Sequence, residues 1–476
     1  MNETRKLTTK TIGKNVTLSL VAQAVSLLIG FLLGLVVPKF IGEYQYAYWR
    51  TFVLYVGYVG VLHFGLLDGI VLRYSQYDYD ELDKKRIRSQ FQALLFFNLF
   101  LTFVVSMVAL AFCEDVTKKI VILVACGIIT KNFFTYTSYT FQITNRINQY
   151  ALLVIAQRLI YGLIVAVLLL LGVEDFYWYC IAELAGDVIS SLAATAFNKG
   201  LYFGKSLTVK ETLQEVKQNV SSGVILLFAN WSAMLLVSGA QMVTGWRWDE
   251  LVFGKLSFAF SLTNLFLTFV VAIGVVLFPA LKRLDPNELP SFYTKIRKVL
   301  SPLLLVALAL YFPACAILEK WLPKYTSSLA YLGVMLPLVV YSSKVSLLTN
   351  NYLKAYRKEK TMLFINLLSA AFGVVAFLLC AYVFDSLKAL LVCIVLTIAL
   401  NSVWSEIVVM KVMKVRIVKD FILELTVSIG FIACVWAFSR WIALLSYCGV
   451  LAVYFLCNYQ QVLELVKRLK SRRRKE

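Results

Sequence analysis

Histidine is almost missing: His63 is the only one among 476 residues. One imidazole leaves little room for Ser-His or Cys-His relays, and no GxSxG, HExxH or GxxxxGK[ST] segment occurs. The chain is therefore expected not to be an enzyme, and any transport it performs is driven by something other than ATP bound to it. Metal-ligand patterns are lacking as well. The nine cysteines are scattered without CxxC pairs or histidine partners, so they read as small buried hydrophobes, and no metal, disulfide or cofactor is expected. Acidic residues are scarce, with 27 Asp and Glu against 47 Lys and Arg and a net charge of +20. Long polar stretches are absent too; the largest internal one runs only from residue 198 to 219. Connections as short as 172–175 and 384–387 leave no room for a catalytic or receptor domain on that side.

What fills the chain instead is apolar sequence, 60% hydrophobic residues with a mean hydropathy of +0.76, more than a soluble chain can hide from water. It comes in runs of about 20 residues, the length that crosses a hydrocarbon layer of about 30 Å. The expected spans are 16–37, 48–72, 91–112, 120–141, 150–171, 176–197 and 221–243, then 251–278, 299–318, 326–350, 361–383, 387–410, 421–438 and 441–459. The reading is an all-α polytopic membrane protein of about fourteen transmembrane helices. The first run is too long for a signal peptide and lacks an AxA-like end, so it is expected to be retained.

Charge sets the expected orientation. With both termini in the cytoplasm, 34 Lys and Arg fall on the inside, 8 outside, and five within spans. The inside set includes Arg5, Lys6, Lys10 and Lys14, the cluster Arg73 to Arg88, Lys282 and Arg283, Arg297, Arg357, Arg416, and seven in the tail from Lys467 to Lys475. This places the chain in an inner, cell membrane. It also explains the basic balance without nucleic acid, because a nucleic-acid reader gathers its cations on one soluble face. The Arg472, Arg473, Arg474 run is placed to touch anionic lipid headgroups.

Ionisable groups inside spans are costly unless they face protein or water, so they mark candidate sites. The cations are Arg50, Lys131, Arg158, Lys255 and Lys344; the acids are Asp68, Glu183, Asp187, Glu406 and Glu424. Lys131 and Arg158 lie fifteen residues before and twelve after Arg146, hence at one depth on neighbouring spans. Glu183 and Asp187, i and i+4, share a face of the next span. Two readings stay open: a buried network of Lys131 and Arg158 against Glu183 and Asp187 that fixes helix packing, or a polar cavity whose cations receive an anionic headgroup. Arg50, Gly57 and Asp68 are spaced to share one stripe of the second span, as a cavity wall would. For Asp68, Lys255, Glu406 and Glu424, near span ends, snorkelling or a local ion pair competes with function, and His63 reads as a satisfied polar group.

Several segments carry a family likeness. Val37-Pro38-Lys39-Phe40-Ile41-Gly42 and Gly65-Leu66-Leu67-Asp68-Gly69-Ile70-Val71-Leu72-Arg73 resemble the N-terminal pattern of Wzx-type polysaccharide repeat-unit flippases, in the multidrug/oligosaccharidyl-lipid/polysaccharide (MOP) exporter superfamily. Tyr139 to Tyr150 with its Asn145-Arg146 turn, Phe278-Pro279-Ala280-Leu281 and Leu322-Pro323-Lys324-Tyr325 are similar to the same family. The resemblance implies MATE-like architecture: a lobe in 1–199, a cytoplasmic connecting segment in 200–219, a second six-helix lobe in 220–410, and two further helices with a basic tail in 411–476. It implies a flippase moving undecaprenyl-pyrophosphate-linked O-antigen or capsule repeat units outward by alternating access through a cationic central cavity. Arg50, Lys131, Arg158, Lys255 and Lys344 become the expected substrate cations, and Asp68, Glu183 and Asp187 coupling or gating groups. Membrane lipids, a polymerase and a chain-length regulator of the same pathway are the implied partners. The rivals are a flippase for lipid-linked peptidoglycan or teichoic acid precursors, a MATE-type drug or ion antiporter, and a membrane glycosyltransferase or polymerase. The antiporter reading is weakened by a first span without any charge.

Overall fold

The computed structural model describes residues 21–281, 288–356, 358–415 and 418–459, with side chains of 269–281, 355 and 359 outside that description. The expectations resting on Arg5 to Lys14, Lys282, Arg283, Arg357, Arg416, the tail and the Phe278-Pro279-Ala280-Leu281 side chains lie outside the described residues. Among the described residues every regular element is a helix, as backbone buried in lipid requires, since a helix satisfies its own amides and carbonyls.

The elements are α1 (Val21–Phe40), α2 (Glu43–His63), α3 (Leu66–Tyr74), α4 (Lys84–Phe112), α5 (Asp115–Ile143), α6 (Ile147–Leu170), α7 (Phe176–Thr195) and α8 (Val209–Arg247). There follow α9 (Glu250–Leu281), α10 (Leu289–Trp321), α11 (Pro323–Met335), α12 (Pro337–Lys354), α13 (Lys360–Val383), α14 (Leu387–Met413), α15 (Val418–Ala437) and α16 (Arg440–Cys457). Eleven of these are each long and apolar enough to cross a membrane, and the count is thirteen if each of the bent pairs α2/α3 and α11/α12 is one span. The 20-residue α7, whose Glu183 and Asp187 lower its hydropathy, has the length of a further one, in keeping with the expected number of about fourteen. Contacts divide the chain into two units, residues 1–257 and 258–476.

In the first unit the second span breaks. Phe64 (φ 51°) and Gly65 (φ 83°) adopt left-handed backbone, which ends α2 and turns α3 by 57°. Asp68 therefore leaves the stripe that spacing predicts for it with Arg50 and Gly57: the 3.6-residue period does not run through a left-handed pair. Instead the Gly65-xxx-Gly69 face of α3 meets Gly223 of α8 with almost no side chain between them, since a Cβ on Gly69 would lie 2.0 Å from the Asn219 carbonyl oxygen. The polar edge of this seam closes it. Arg73 donates to Asn219 (2.6 Å) and Gln218 (2.7 Å) and pairs with Glu215 (3.1 Å), which also accepts from Tyr74 (2.8 Å) and pairs with Arg86 (3.2 Å). Asn219 donates in turn to Gln90.

The same end of this unit is sealed by aromatic rings. Phe91 packs on Tyr136 and Tyr202 with centroids 4.8 and 5.0 Å away, and Arg88 donates to the carbonyls of Gly200 and Lys205. Burial pushes the Tyr202 hydroxyl up to about 12, so it stays a neutral donor to Thr137 at 2.9 Å. Cations that the sequence reading assigns to loops thus act as ties between helix ends.

Candidate functional site

The mid-span charges of the first unit are placed by close helix contacts. Gly186 lets α7 approach α6, where a Cβ would stand 3.1 Å from the Gln157 carbonyl oxygen and 3.2 Å from the Tyr161 Cβ. That approach brings Asp187 to Gln157, whose amide donates to Oδ1 at 3.0 Å. Lys131 of α5 then reaches both carboxylates of the i, i+4 pair, Glu183 at 2.7 Å and Asp187 at 2.9 Å. Asp187 is buried, so its charge depends on these partners.

Arg158 does not join this network. It is exposed, and its chain neighbour Gln157 is the residue that faces Asp187. One helical residue is a rotation of about 100°, so the two side chains leave α6 in different directions. The four-membered network therefore becomes a three-charge cluster with Gln157 as its fourth member. Arg158 lies instead, with Arg50 and Glu183, within electrostatic reach of the buried Tyr161 hydroxyl. Arg50 is half-buried, stacks beside Trp49 at 5.9 Å from the ring centroid, and leaves its Nε without a hydrogen bond. Among the described residues neither Arg50 nor Arg158 pairs with a carboxylate, and half-buried Lys255 of α9 makes no ion pair either. Lys131 thus meets both carboxylates, and among the described residues the two guanidinium groups are left without one.

Asp68 sits just past the break, with His63 Nε2 3.8 Å from its carboxylate, while His63 Nδ1 accepts from the Gly65 amide at 3.1 Å. The lone histidine therefore has a structural task in the turn.

The second unit holds a denser cluster. Lys344, fully buried, ion-pairs with Glu424 (2.5 Å) and Glu406 (3.0 Å). Arg297 of α10 meets the same carboxylates, Glu406 at 3.2 Å and Glu424 at 3.0 Å, and Asp420 at 3.3 Å. Four helices, α10, α12, α14 and α15, are tied by one knot of charge. Lys344, expected as a cavity cation, has its ammonium occupied, and Arg297, expected in a loop, is buried inside α10. A partial signal for Arg297 was present: two glutamates near span ends, Glu406 and Glu424, need cations in reach once buried, and Arg297 lies two residues from the expected start of a span.

The architecture is that of a multi-pass membrane protein with the fold of transporters and flippases. No family model matches the chain, and no curated protein matches it. Among solved structures, the lipid II flippase MurJ in an inward closed conformation is similar over 94% of this chain and 100% of its own, at 12% identity and a TM-score of 0.69. An inward-facing multidrug resistance MATE family transporter of the MOP superfamily is similar over 83% of this chain and 95% of its own, at 12% identity and a TM-score of 0.61. A point mutant of a MATE protein gives 11% identity, 85% and 96% coverage and a TM-score of 0.54. These likenesses show that the chain shares the fold of those transporters and flippases.

Proposed function

We propose that the chain is a flippase that carries polyprenyl-pyrophosphate-linked oligosaccharide repeat units, of O-antigen or capsule type, from the cytoplasmic to the outer leaflet. The observation that carries this reading is the pair of mid-span guanidinium groups, Arg50 and Arg158, left without carboxylate partners among the described residues, in the same unit as a Lys131 whose charge is already met. Guanidinium matches the paired oxygens of a phosphate better than any other side chain, and a pyrophosphate leaving water needs such compensation. In this reading Arg50 and Arg158 receive the headgroup, with Lys255 as a further cation. Lys131 with Glu183 and Asp187 holds the wall behind them and offers a charge-exchange point, and Asp68 marks the gate at the α2/α3 break. Lys344 serves the fold. Membrane lipids and the polymerase and chain-length regulator of the same pathway are its partners.

A lipid-linked peptidoglycan precursor is the second reading, supported by the likeness to the lipid II flippase over 94% of this chain; it shares the polyprenyl pyrophosphate and differs in the group the pyrophosphate carries.

Arg50→Ala and Arg158→Ala should each cut glycan export at least tenfold, the equivalent of about 1.5–3 kcal/mol for a charged hydrogen bond, while membrane insertion stays normal. Measuring surface glycan against protein level checks this, and wild-type export in both variants would remove the headgroup role. Orientation is tested separately. Reporter fusions after Arg88 and Lys217 should read as cytoplasmic and fusions after Lys119 as outside; the opposite pattern sinks the inner-membrane topology with both termini cytoplasmic.

A further inference from the structure

The second unit holds a half-open pocket of about 210 Å³ at the ends of α10 and α15 opposite to the Arg297–Lys344 knot. Its polar groups are Glu319 and Arg440, paired with each other and each about one-third exposed, with Thr326 beside them. Its walls combine four aromatic rings, Tyr311, Phe312, Trp436 and Phe438, with small and aliphatic side chains such as Leu329 and Val435. Two of these rings are fixed. Tyr311 donates its hydroxyl to the Leu329 carbonyl at 3.0 Å, fitted against Gly333, where a Cβ would stand 2.6 Å from that hydroxyl. Phe312 packs edge-on against Phe431 at 5.8 Å. The other two, Trp436 and Phe438, are exposed at the mouth.

The chemistry of this cavity selects its occupant. Glu319 and Arg440 cancel, so an anion has to displace the carboxylate and a cation has to displace the guanidinium. A lipid chain would bury the pair without offering hydrogen bonds, which costs free energy. A neutral polyhydroxyl ring meets every demand: its hydroxyls donate to Glu319 and accept from Arg440, while its C–H face lies on the negative face of an aromatic ring. The volume is below the roughly 300–1,000 Å³ that takes a drug-sized ligand, so one ring fits and an oligomer does not.

We infer that this cavity is a saccharide subsite that holds one sugar residue of the translocated glycan on the side where it leaves, with Trp436 as the stacking platform and Glu319 and Arg440 as hydroxyl partners. The inference rests on the flippase reading for its glycan, yet its test does not depend on transport. Purified full-length protein in nanodiscs of neutral lipid is titrated with methyl glycosides of glucose, galactose, N-acetylglucosamine and N-acetylgalactosamine, and saturation transfer from protein to sugar C–H protons is read by NMR. At least one glycoside should bind saturably. Trp436→Ala and the charge-neutral double variant Glu319→Gln/Arg440→Gln should each weaken it at least tenfold while eluting as monodisperse protein. Trp436 is 56% exposed, so its truncation leaves the packing intact. No saturable binding by any of the four sugars overturns the inference, as does binding unchanged in both variants, or displacement of the sugar by short-chain phosphatidylglycerol at wild-type affinity in both. Sugar binding alongside normal export in Arg50→Ala and Arg158→Ala would spare this subsite and remove the headgroup site; the reverse combination would do the opposite.

Discussion

Lys344→Met is expected to lower the stability of the protein by about 3–5 kcal/mol, the cost of breaking a buried ion pair from one side. The ammonium is fully buried between Glu406 at 3.0 Å and Glu424 at 2.5 Å. Without it, two buried carboxylates share Arg297 alone, and the Asp420 carboxylate, which Arg297 also holds at 3.3 Å, adds to the negative excess. Methionine fills most of the lysine volume, so the loss measured is of charge and not of packing. Heating detergent-solubilised protein and following the monodisperse fraction by size exclusion reads the effect as a large drop in midpoint. Adding Glu424→Gln to Lys344→Met should recover a substantial part of it, because the negative excess around Arg297 falls by one charge and Glu406 is then the one fully buried carboxylate that it has to meet. A double-mutant cycle with little coupling between 344 and 424 would show that water screens the knot. Lys344 also ends directly on a π-helical turn, Val345–Thr349. An insertion of that kind widens the helix locally, and here it follows the residue that has to reach two other helices at once.

How far the sequence reveals such arrangements depends on whether the feature is local. Span number is written in one dimension, as apolar run length, and the expected count of about fourteen follows from it, against eleven to thirteen helices or bent pairs that are long and apolar enough among the described residues. The Glu183–Asp187 face is equally local, since i and i+4 must point together whatever surrounds them. Arg158 shows the limit: equal depth was readable, but which of Gln157 and Arg158 faces Asp187 is set by how α6 rotates against α7 at Gly186, a tertiary choice. Arg297 shows another, because its burial depends on where α10 begins. Starting the helix at Leu289 and not at residue 299 draws ten residues of loop-like sequence, with Lys295, Arg297 and Lys298 among them, into helix. The break in the second span was hidden for the opposite reason. Phe64 carries a left-handed backbone that no propensity assigns to phenylalanine, and only the seam that α3 makes with α8 explains why it is held there. Gly65-xxx-Gly69 was a usable signal of that seam.

That seam should be the least tolerant place in the first unit. Gly69→Ala introduces a Cβ 2.0 Å from the Asn219 carbonyl oxygen and 2.5 Å from its carbon, backbone atoms that cannot rotate away as a side chain would. The helices must separate, at an overpacking cost of about 1–3 kcal/mol. Separation also stretches the bonds that bracket the contact, Arg73 to Asn219 and Tyr74 to Glu215, each worth about 1 kcal/mol or more. Gly223→Ala should behave alike, since its Cβ meets the Gly65 carbonyl oxygen at 2.0 Å. Gly57 is the control within the same span: no atom lies within 4 Å of its Cβ position, so Gly57→Ala should leave the heat-inactivation midpoint unchanged or raise it slightly, as a helical glycine replaced by alanine does. Equal midpoints for Gly69→Ala and Gly57→Ala would mean that α3 and α8 do not stay in contact in the membrane. Export separates two roles for the seam. If α3 only braces α8, a partly stable Gly69→Ala protein exports in proportion to its amount. If α3 swings about the Phe64–Gly65 break as the gate beside Asp68, export falls further than the amount of folded protein, because the closed position can no longer be reached.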